Sequence, residues 1–431
     1  MRLPFLCRIP FLLSVIFSLL SCGEDRSGEF IEMTQENQWT YSTMKEHYLW
    51  GDSIKKPAYT AFFTSESKFY ASLLNKNDKV SFFTDSVSAG SYGVSYALMR
   101  DPLGIKRTKV YALILDVEKE SPADIAGLKR GMWVSSVDGK ELSISGTSLL
   151  ASGGDVVVET ERMVTDGENN RFWETDESLP MQASRELHAH AFPLDTVYEI
   201  DDRKIGYLMC NNFDGDDFIV HMNDILMNFL SEGVSDFVID LRYNSGGSMA
   251  NAAAMAALFV EDAFQGTAFA VLKGKGDEES TSFNYPVKEM NAADAGLYII
   301  TGNATNSTAE LFVKSLKVSR GAQNVTLFGE RTAGAHLMTE KFVSPYGFAI
   351  NPAVAIVCSS DGMPLSILGI QTDYEIDELA DIENIHELGD IDETVLNSAL
   401  MLIVYGEIPD AETGTISHKN LFPGRKGTFG K

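Results

Sequence analysis

Apolar residues recur along the chain with two different periods, and the change between the periods predicts the order of the elements. Between residues 37 and 74, apolar and aromatic residues recur every three or four positions, which indicates a small N-terminal helical region. From about residue 90 to 165 the pattern becomes short alternating runs broken by Gly and Pro, as is typical of a β-rich module. After residue 195, apolar runs of strand length alternate with amphipathic runs of helix length. This order predicts an α/β layer with parallel strands.

The α/β part divides into individual elements. Strands are predicted over residues 204–210, 237–241, 297–301 and 325–328, and helices over residues 218–230, 249–259 and 309–318. Between the β-rich module and this layer, residues 169–195 are polar and rich in turn-forming residues, which predicts a hinge.

Composition and charge limit the class of protein. The chain has 431 residues, of which 44% are hydrophobic and 22% charged, so two or three globular domains are expected. The formal net charge is −26. Because an acidic chain offers no basic surface to neutralise phosphates, nucleic acid is not an expected partner.

The first 21 residues form a distinct segment. Two arginines precede an apolar run over residues 11–20, a pattern that is typical of a secretory signal peptide and too short to span a membrane. Leu20-Ser21-Cys22-Gly23 resembles a bacterial lipobox, which implies a signal peptide over residues 1–21 and lipidation of Cys22; an ordinary signal peptide with an incidental cysteine is the alternative. Residues 22–35 would be a tether. We therefore expect a protein of the bacterial cell envelope, held on the periplasmic or cell-surface side of the membrane by its lipid anchor.

The remaining cysteines and the histidines indicate no metal chemistry. Cys210 and Cys358 lie in apolar, strand-like runs, and although an oxidising compartment would allow them to pair, such runs favour buried free thiols. His188 and His190 alternate, but no third ligand stands at metal-binding spacing. We expect neither a metal site nor a cofactor.

The β-rich module carries a specific motif, Ser121-Pro122-Ala123-Asp124-Ile125-Ala126-Gly127-Leu128-Lys129-Arg130-Gly131, followed by Val137-Asp138-Gly139-Lys140. It resembles the PDZ domains of bacterial proteases and places such a domain over residues 88–168. The resemblance implies that Tyr92, Gly93 and Val94 form the loop that receives a peptide's C-terminal carboxylate while the peptide adds a strand. Met132 stands where the family usually has Asp, and Ser95 stands where a second Gly is common.

Two loops after buried strands could carry chemistry. In the first, which ends in Gly246 and Gly247, paired glycines let backbone N–H groups approach a ligand closely. In the second, Ser307 lies where a strand turns into a helix, and the helix N-terminus would stabilise an oxyanion there. Each loop also has a purely structural interpretation. Ser307-Thr308-Ala309-Glu310 fits a capping box, and the two glycines fit a tight turn.

Six segments in this order resemble peptidase family S41, the carboxyl-terminal processing or tail-specific serine peptidases. They are the PDZ-like motif, Ile205-Gly206-Tyr207-Leu208, Asp240-Leu241-Arg242-Tyr243-Asn244-Ser245-Gly246-Gly247, Ser307-Thr308-Ala309-Glu310, Gly329-Glu330-Arg331-Thr332 and Gly369-Ile370-Gln371-Thr372-Asp373. The resemblance implies a ClpP/crotonase-like core over residues 190–405 with the PDZ domain inserted, a helical region over residues 36–87 and a tail over residues 406–431. It also implies protein or peptide substrates with exposed C-termini outside the cytoplasm.

By position, the resemblance makes Ser307 the nucleophile, and the N–H groups of Thr308 and of Gly246 or Gly247 the oxyanion hole. The family's general base is a lysine at the position of Ala335, whose methyl group cannot accept a proton.

His336 is the nearest candidate base, because its ordinary pKa of about 6.5 suits that role. A solvent-facing or structural histidine is the alternative. On a regular strand, the side chains of Ala335 and His336 would point to opposite faces, so His336 would need a bulge to reach Ser307. A second function therefore remains open, that of an inactive S41-like protein that binds peptides or apolar ligands.

Overall fold

The structure is a computed structural model, and it describes residues 34–85, 90–144, 150–151, 153–187, 190–276, 280–383 and 385–408. The predicted signal peptide, Cys22, most of the tether and most of the tail lie outside the described residues. Within these ranges, no helix combines the length and apolar character needed to cross a membrane.

The elements follow one another in three groups. The N-terminal group is α1 (Gln35–His47), α2 (Glu66–Leu73) and β1 (Phe82–Thr84), with 3₁₀ turns at Gly51–Ser53 and Tyr59–Phe63. The β-module is β2 (Val94–Arg100), β3 (Val110–Val117), α3 (Pro122–Ala126), β4 (Trp133–Val137), β5 (Lys140–Glu141), β6 (Val156–Thr165) and β7 (Arg171–Met181). The α/β part is β8 (Leu194–Ile200), β9 (Arg203–Met209), α4 (Phe218–Glu232), β10 (Asp236–Asp240), α5 (Met249–Ala257), β11 (Ala268–Lys273), β12 (Ser280–Asn284), β13 (Gly296–Thr301), α6 (Thr308–Arg320), β14 (Thr326–Gly329), β15 (Leu337–Thr339), β16 (Phe342–Val343), β17 (Ala349–Asn351), β18 (Ala353–Ser359), β19 (Tyr374–Glu375) and α7 (Thr394–Tyr405), with 3₁₀ turns at Asp262–Phe264 and Ala322–Asn324.

A six-stranded sheet in the order β19-β14-β13-β10-β9-β8 forms the centre of the α/β part. Its neighbouring strands are parallel except for the antiparallel pair β8–β9 at one edge. Alternate residues of each strand face opposite sides, so Phe237 and Ile239 pack under α4, α5 and α6, while Val238 packs under α7. The sheet is therefore buried on both faces, which explains its continuous apolar strands.

A second, antiparallel sheet in the order β12-β11-β18-β15 packs against the same core. Beside it, β1 joins β17 and β16 in a small sheet, which brings the N-terminal helices against the α/β part. The buried residues of this contact include Met44, Tyr48 and Phe69 from the N-terminal group and Phe348 and Ile350 from the small sheet.

The β-module is a sheet in the order β2-β3-β4-β6-β7, with β5 paired to β4. Its short helix α3 begins with an N-cap bond from the Asp124 N–H to the Ser121 side chain, has Pro122 at its start and ends at Gly127, whose φ is 91°. The hinge predicted over residues 169–195 is wrong where it overlaps β7. Residues 171–181 are polar because most of this edge strand is exposed, and β7 pairs with β6 along its length.

The predicted α/β class is confirmed as a mixed α/β fold. The seven elements predicted in the α/β part are present, and their ends move by one or two residues in most cases. The predicted N-terminal helical region contains two helices separated by 3₁₀ turns.

Candidate active site

The two candidate loops lie side by side because their strands are parallel neighbours. β10 and β13 pair in register, so both loops leave the same edge of the sheet. Thr305 Oγ1 donates to the Leu241 carbonyl at 2.7 Å, and the Asn306 N–H donates to the Asn244 carbonyl at 3.0 Å. These bonds join the glycine loop to the turn that precedes α6.

Ser307 lies at the N-cap of α6 with φ 54° and ψ −118°, a conformation that L-residues rarely adopt. The side chain is half-buried. Gly246 stands directly against it, since a methyl group at Gly246 would lie 3.3 Å from Ser307 Oγ and 3.3 Å from Thr308 N. The structure thus brings together Ser307, Thr308 and Gly246, as predicted from the order of the motifs.

The two glycines have different surroundings. The Gly246 N–H donates to Asn244 Oδ1 at 2.8 Å, so in this conformation it is committed to the loop itself. The Gly247 carbonyl accepts a bond from Thr308 Oγ1 at 2.8 Å, which fixes Gly247 to the start of α6. Asn244 was not singled out from the sequence, although its place in the quoted motif could have drawn attention to it.

Glu310 connects the turn at Ser307 with the segment that carries Ala335. Its side chain is 1% exposed. Oε1 accepts bonds from Thr332 Oγ1 (2.5 Å) and the Gly334 N–H (2.8 Å), and Oε2 accepts bonds from the N–H groups of Ala335 (2.6 Å) and Ser307 (3.3 Å). The sequence marked Glu310 only as part of a capping box, because its partners at residues 332–335 are distant along the chain.

The capping interpretation is confirmed. Ser307 and Glu310 form a capping box, in which the Ser307 side chain faces the N–H of Glu310 and the Ser307 N–H donates to the Glu310 carboxylate at 3.3 Å. The Ser307 hydroxyl therefore serves the start of α6 and also lies beside Gly246.

Ala335 and His336 lie in an irregular segment that ends where β15 begins at Leu337, so the alternation of a regular strand does not apply to them. His336 Nδ1 is buried and has no hydrogen-bond partner among the described residues. Burial lowers the pKa of His336 below its usual 6.5, against the opposing influence of a hydrogen bond from the ring to the Gly334 backbone and of the Asp78 and Glu310 carboxylates. The imidazole is thus neutral near pH 7 but is not bonded to Ser307 through Nδ1.

A buried charge cluster lies beneath the glycine loop. Arg242 is 1% exposed and bonds to Asp240 (3.0 Å) and, through both terminal nitrogens, to Glu393 (2.8 and 2.9 Å), with Glu378 at 3.5 Å. Although burial opposes ionisation of Glu393, the Arg242 guanidinium holds the pKa of this carboxyl below its usual value. The cluster therefore fixes the end of β10 to the start of α7.

The residues predicted to bind a peptide carboxylate lie at the start of β2, an edge strand of the β-module. The Tyr92 N–H donates to the Ala151 carbonyl at 3.3 Å, and the Gly93 N–H donates to Ser91 Oγ at 3.0 Å. Val94 pairs with Val117 inside the sheet. Two of the three N–H groups are thus bonded within the module in this conformation.

The two cysteines of the folded part are unpaired. Cys210 and Cys358 are both buried free thiols, as their apolar runs favoured. Burial raises the pKa of both thiols, which keeps them protonated and unreactive at neutral pH.

Comparison with known proteins shows which protein family has this arrangement. The model of peptidase family S41 matches residues 204–376, and the model of the peptidase S41 N-terminal domain matches residues 35–82. A relative, the probable CtpA-like serine protease of Staphylococcus aureus strain MSSA476, is 25% identical over 374 residues, which cover 84% of this chain and 69% of the relative. The chloroplastic carboxyl-terminal-processing peptidase 1 of Arabidopsis thaliana is 25% identical over 287 residues, or 65% of this chain and 55% of that protein.

Solved structures show the same fold. A protease from Bacteroides fragilis assigned to family S41 has a TM-score of 0.71 and 25% identity, covering 85% of this chain and 96% of the other. The photosystem II D1 C-terminal processing protease has a TM-score of 0.51 at 15% identity, covering 80% and 93%, and shows likeness of fold alone. The chain therefore belongs to peptidase family S41, and with it to the serine-type peptidases.

Proposed function

We propose that the protein cleaves extracytoplasmic polypeptides near their C-termini, with Ser307 as the nucleophile. One observation carries the proposal: Ser307 is held in a strained turn at the N-terminus of α6, with Gly246 and the Thr308 N–H beside its hydroxyl. Residues held in strained backbone conformations cluster at active sites, where the strain helps to pre-organise the reacting group. The parallel sheet with helices on both faces also supports a ClpP/crotonase-like core.

In the proposed reaction, Ser307 Oγ attacks the peptide carbonyl carbon and transfers its proton to a base. The carbonyl oxygen becomes an oxyanion next to the N–H of Thr308, the first residue of α6, whose N–H has no partner within the helix. Gly247 is the better second donor of the two glycines, since the Gly246 N–H already bonds to Asn244. The missing side chain at Gly246 leaves space next to the hydroxyl.

His336 is the proposed base. Its lowered pKa keeps the imidazole in the neutral form that can accept a proton at pH 7. Because Nδ1 has no partner among the described residues, a bond to Ser307 or to one bridging water would satisfy a buried nitrogen.

Substrate selection is assigned to the β-module acting as a PDZ domain. A peptide C-terminus would add to β2, which is an edge strand, and its carboxylate would lie at Tyr92, Gly93 and Val94. Binding there requires the Tyr92 and Gly93 N–H groups to exchange their internal bonds for bonds to the carboxylate.

A fluorophosphonate probe tests the nucleophile. We expect the wild-type protein to be labelled, Ser307→Ala to lose labelling, and His336→Ala to label about 10²- to 10⁴-fold more slowly, the usual contribution of a general base. His221→Ala is the matched control, because the His221 side chain is 60% exposed and lies 3.6 Å from Asp217, the N-cap residue of its own helix. An unlabelled wild-type protein that still binds a peptide with a free C-terminus would instead indicate a binding protein.

Location at the cell envelope is tested separately. We expect the wild-type protein to incorporate a fatty-acid label and to sediment with membranes in the cell of origin, and Cys22→Ala to do neither. A Cys22→Ala variant that retains the lipid label would contradict the anchor without bearing on the active site.

A further inference from the structure

The turn between α2 and β1 contains a buried carboxylate, that of Asp78, which is 8% exposed. Its Oδ2 accepts bonds from Tyr48 Oη at 2.7 Å and Ser81 Oγ at 2.5 Å, and its Oδ1 accepts bonds from the Val80 and Ser81 N–H groups, both at 3.0 Å. All four donors are uncharged, so they fix the carboxylate without neutralising it. Because a buried Asp is usually paired with a cation, this fixed charge indicates a role beyond closing the turn.

The turn that contains Asp78 is bonded to the strands beside His336. Ser81 Oγ, which donates to Asp78, accepts a bond from the Ala353 N–H at 2.8 Å, at the start of β18. β18 pairs with β15, which begins one residue after His336, and the Val357 N–H of β18 donates to the His336 carbonyl at 2.9 Å. The N-terminal group and the segment of the candidate base are therefore held by the same strand.

The charge of Asp78 acts on the imidazole of His336. Tyr48, which donates to Asp78, packs in one buried cluster with Leu337, the residue after His336. Two carboxylates favour the protonated ring, those of Asp78 and Glu310, and they do so against the burial of His336. Glu310 belongs to the turn at Ser307, whereas Asp78 comes from a part of the chain about 260 residues before His336.

In the proposed reaction, His336 takes the proton of Ser307 Oγ and later gives it to the leaving amine. Between these steps the half-buried ring is an imidazolium, a charge that burial disfavours. A carboxylate fixed in place beforehand stabilises this charge without having to reorganise.

We infer that Asp78 is a positioning residue for catalysis, which acts through His336 by stabilising its imidazolium form. Asp78 itself neither gains nor loses a proton in the reaction. The inference rests on the proposed function, because it takes His336 as the base. It adds that the N-terminal group supplies a charge to the active site of the α/β part.

The titration of His336 tests the inference without requiring catalysis. The ring ¹³Cε1 resonance is followed by NMR against pH and is assigned by its absence in His336→Ala. We expect the pKa of His336 to fall in Asp78→Asn, because an amide no longer favours the imidazolium. Asp78→Ser removes the charge by a second route, in case the amide disturbs the fold. Tyr48→Phe is the matched control, since it removes one bond to the carboxylate but keeps the charge, and it should leave the pKa of His336 at the wild-type value.

Fluorophosphonate labelling across the pH range gives the second readout. Asp78→Asn should label about tenfold more slowly than the wild type at its plateau, and its labelling should begin to rise at a lower pH, because a weaker base is deprotonated earlier. Slower labelling with the wild-type pH profile would overturn the inference, because Asp78 would then only hold the turn.

The outcomes separate this inference from the proposed function. If the pKa of His336 falls in the uncharged variants and no protein labels, the coupling of Asp78 to His336 stands and hydrolysis fails. If the wild-type protein labels but the pKa of His336 is the same in both uncharged variants as in the wild type, the inference is wrong and the peptidase remains.

Discussion

Ser307 has a strained backbone at the position of the proposed nucleophile. Its φ of 54° is one that glycine adopts readily. Holding any other residue at such a φ costs about 1–3 kcal/mol of conformational free energy. The conformation persists because its neighbours fix it: the Leu311 N–H donates to the Ser307 carbonyl at 3.1 Å, and the Ser307 N–H donates to Glu310. In this conformation the hydroxyl lies beside Gly246.

This strain gives a prediction about stability. Ser307→Gly should abolish fluorophosphonate labelling and raise the free energy of unfolding by about 1 kcal/mol, because glycine adopts the positive φ without strain. Ser307→Ala should abolish labelling equally but leave the strain in place. Chemical denaturation of both variants makes the comparison, and equal stability of the glycine and alanine variants would mean that the turn is not strained.

Ala335 is the second residue that decides the chemistry. Its N–H donates to Glu310 Oε2 at 2.6 Å, so its backbone is tied to the turn at Ser307 even though its side chain is inert. A lysine at this position would extend from a backbone that is already held near the nucleophile.

Ala335→Lys should therefore increase fluorophosphonate labelling by about 10²-fold or more, since a general base typically contributes this much. Ala333→Lys is the control, because it adds the same charge at an exposed position of the same segment. If both variants label at the wild-type rate, the site lacks more than the base.

At the scale of elements, the charge cluster around Arg242 joins β10 to α7. The Glu393 side chain is the N-cap of α7, accepting a bond from the Leu396 N–H at 2.9 Å, and it also binds Arg242 through both carboxylate oxygens. Asp240, at the end of β10, accepts a further bond from Tyr207 Oη at 2.8 Å. The loop that carries Gly246 and Gly247 therefore begins at a fixed point.

Arg242→Met should destabilise the fold by about 3–5 kcal/mol, because it leaves buried carboxylates without their main counter-charge. Arg203→Met should cost less than about 1 kcal/mol, since the Arg203 side chain is 49% exposed and lies 3.4 Å from Asp236. Urea unfolding of the two variants measures the difference. A small effect at Arg242 would show that Arg130 can replace its charge.

At the scale of the whole molecule, the β-module is held against the α/β part by buried polar contacts. Arg130 of the module donates to Tyr243 Oη at 2.8 Å and to the His386 carbonyl at 2.8 Å. Across the same boundary, Asn211 Nδ2 donates to Asp116 Oδ2 at 3.3 Å. Burial raises the pKa of Asp116 from 3.8 to about 6, although the Arg130 charge opposes the shift.

A raised pKa means that the folded protein binds the Asp116 proton more tightly than the unfolded chain does. Wild-type stability should therefore fall as the pH rises from about 4 to about 6 through this group. Asp116→Asn should remove this loss, so its Tm should exceed the wild-type Tm by a few degrees above pH 6 and match it near pH 4. The exposed Asp202→Asn control should show no such pH-dependent difference, and a parallel pair of Tm curves for Asp116→Asn would contradict the assignment.

Periodicity, composition and ordered motifs determined much of this protein from the sequence alone. Apolar runs of strand length predicted β9, β10, β13 and β14 because a parallel strand covered on both faces must be apolar throughout. Ser307 could be placed between a strand and a helix because the apolar run of strand length before it and the run of helix length after it are both visible in the local sequence. The hinge prediction failed over residues 171–181 because an exposed edge strand has the polar composition of a loop.

Only the tertiary structure decided which polar groups are already bonded within the protein and which remain available to a substrate. Glu310 bonds to residues 22 to 25 positions away, Arg242 bonds to a residue 151 positions away, and the Gly246 N–H is taken by Asn244. No pattern along the chain specifies these pairs, because hydrogen bonds and ion pairs depend on distances that exist only after the sheet and its helices have packed. The motif order identified the candidate site, and packing determined how its groups are held.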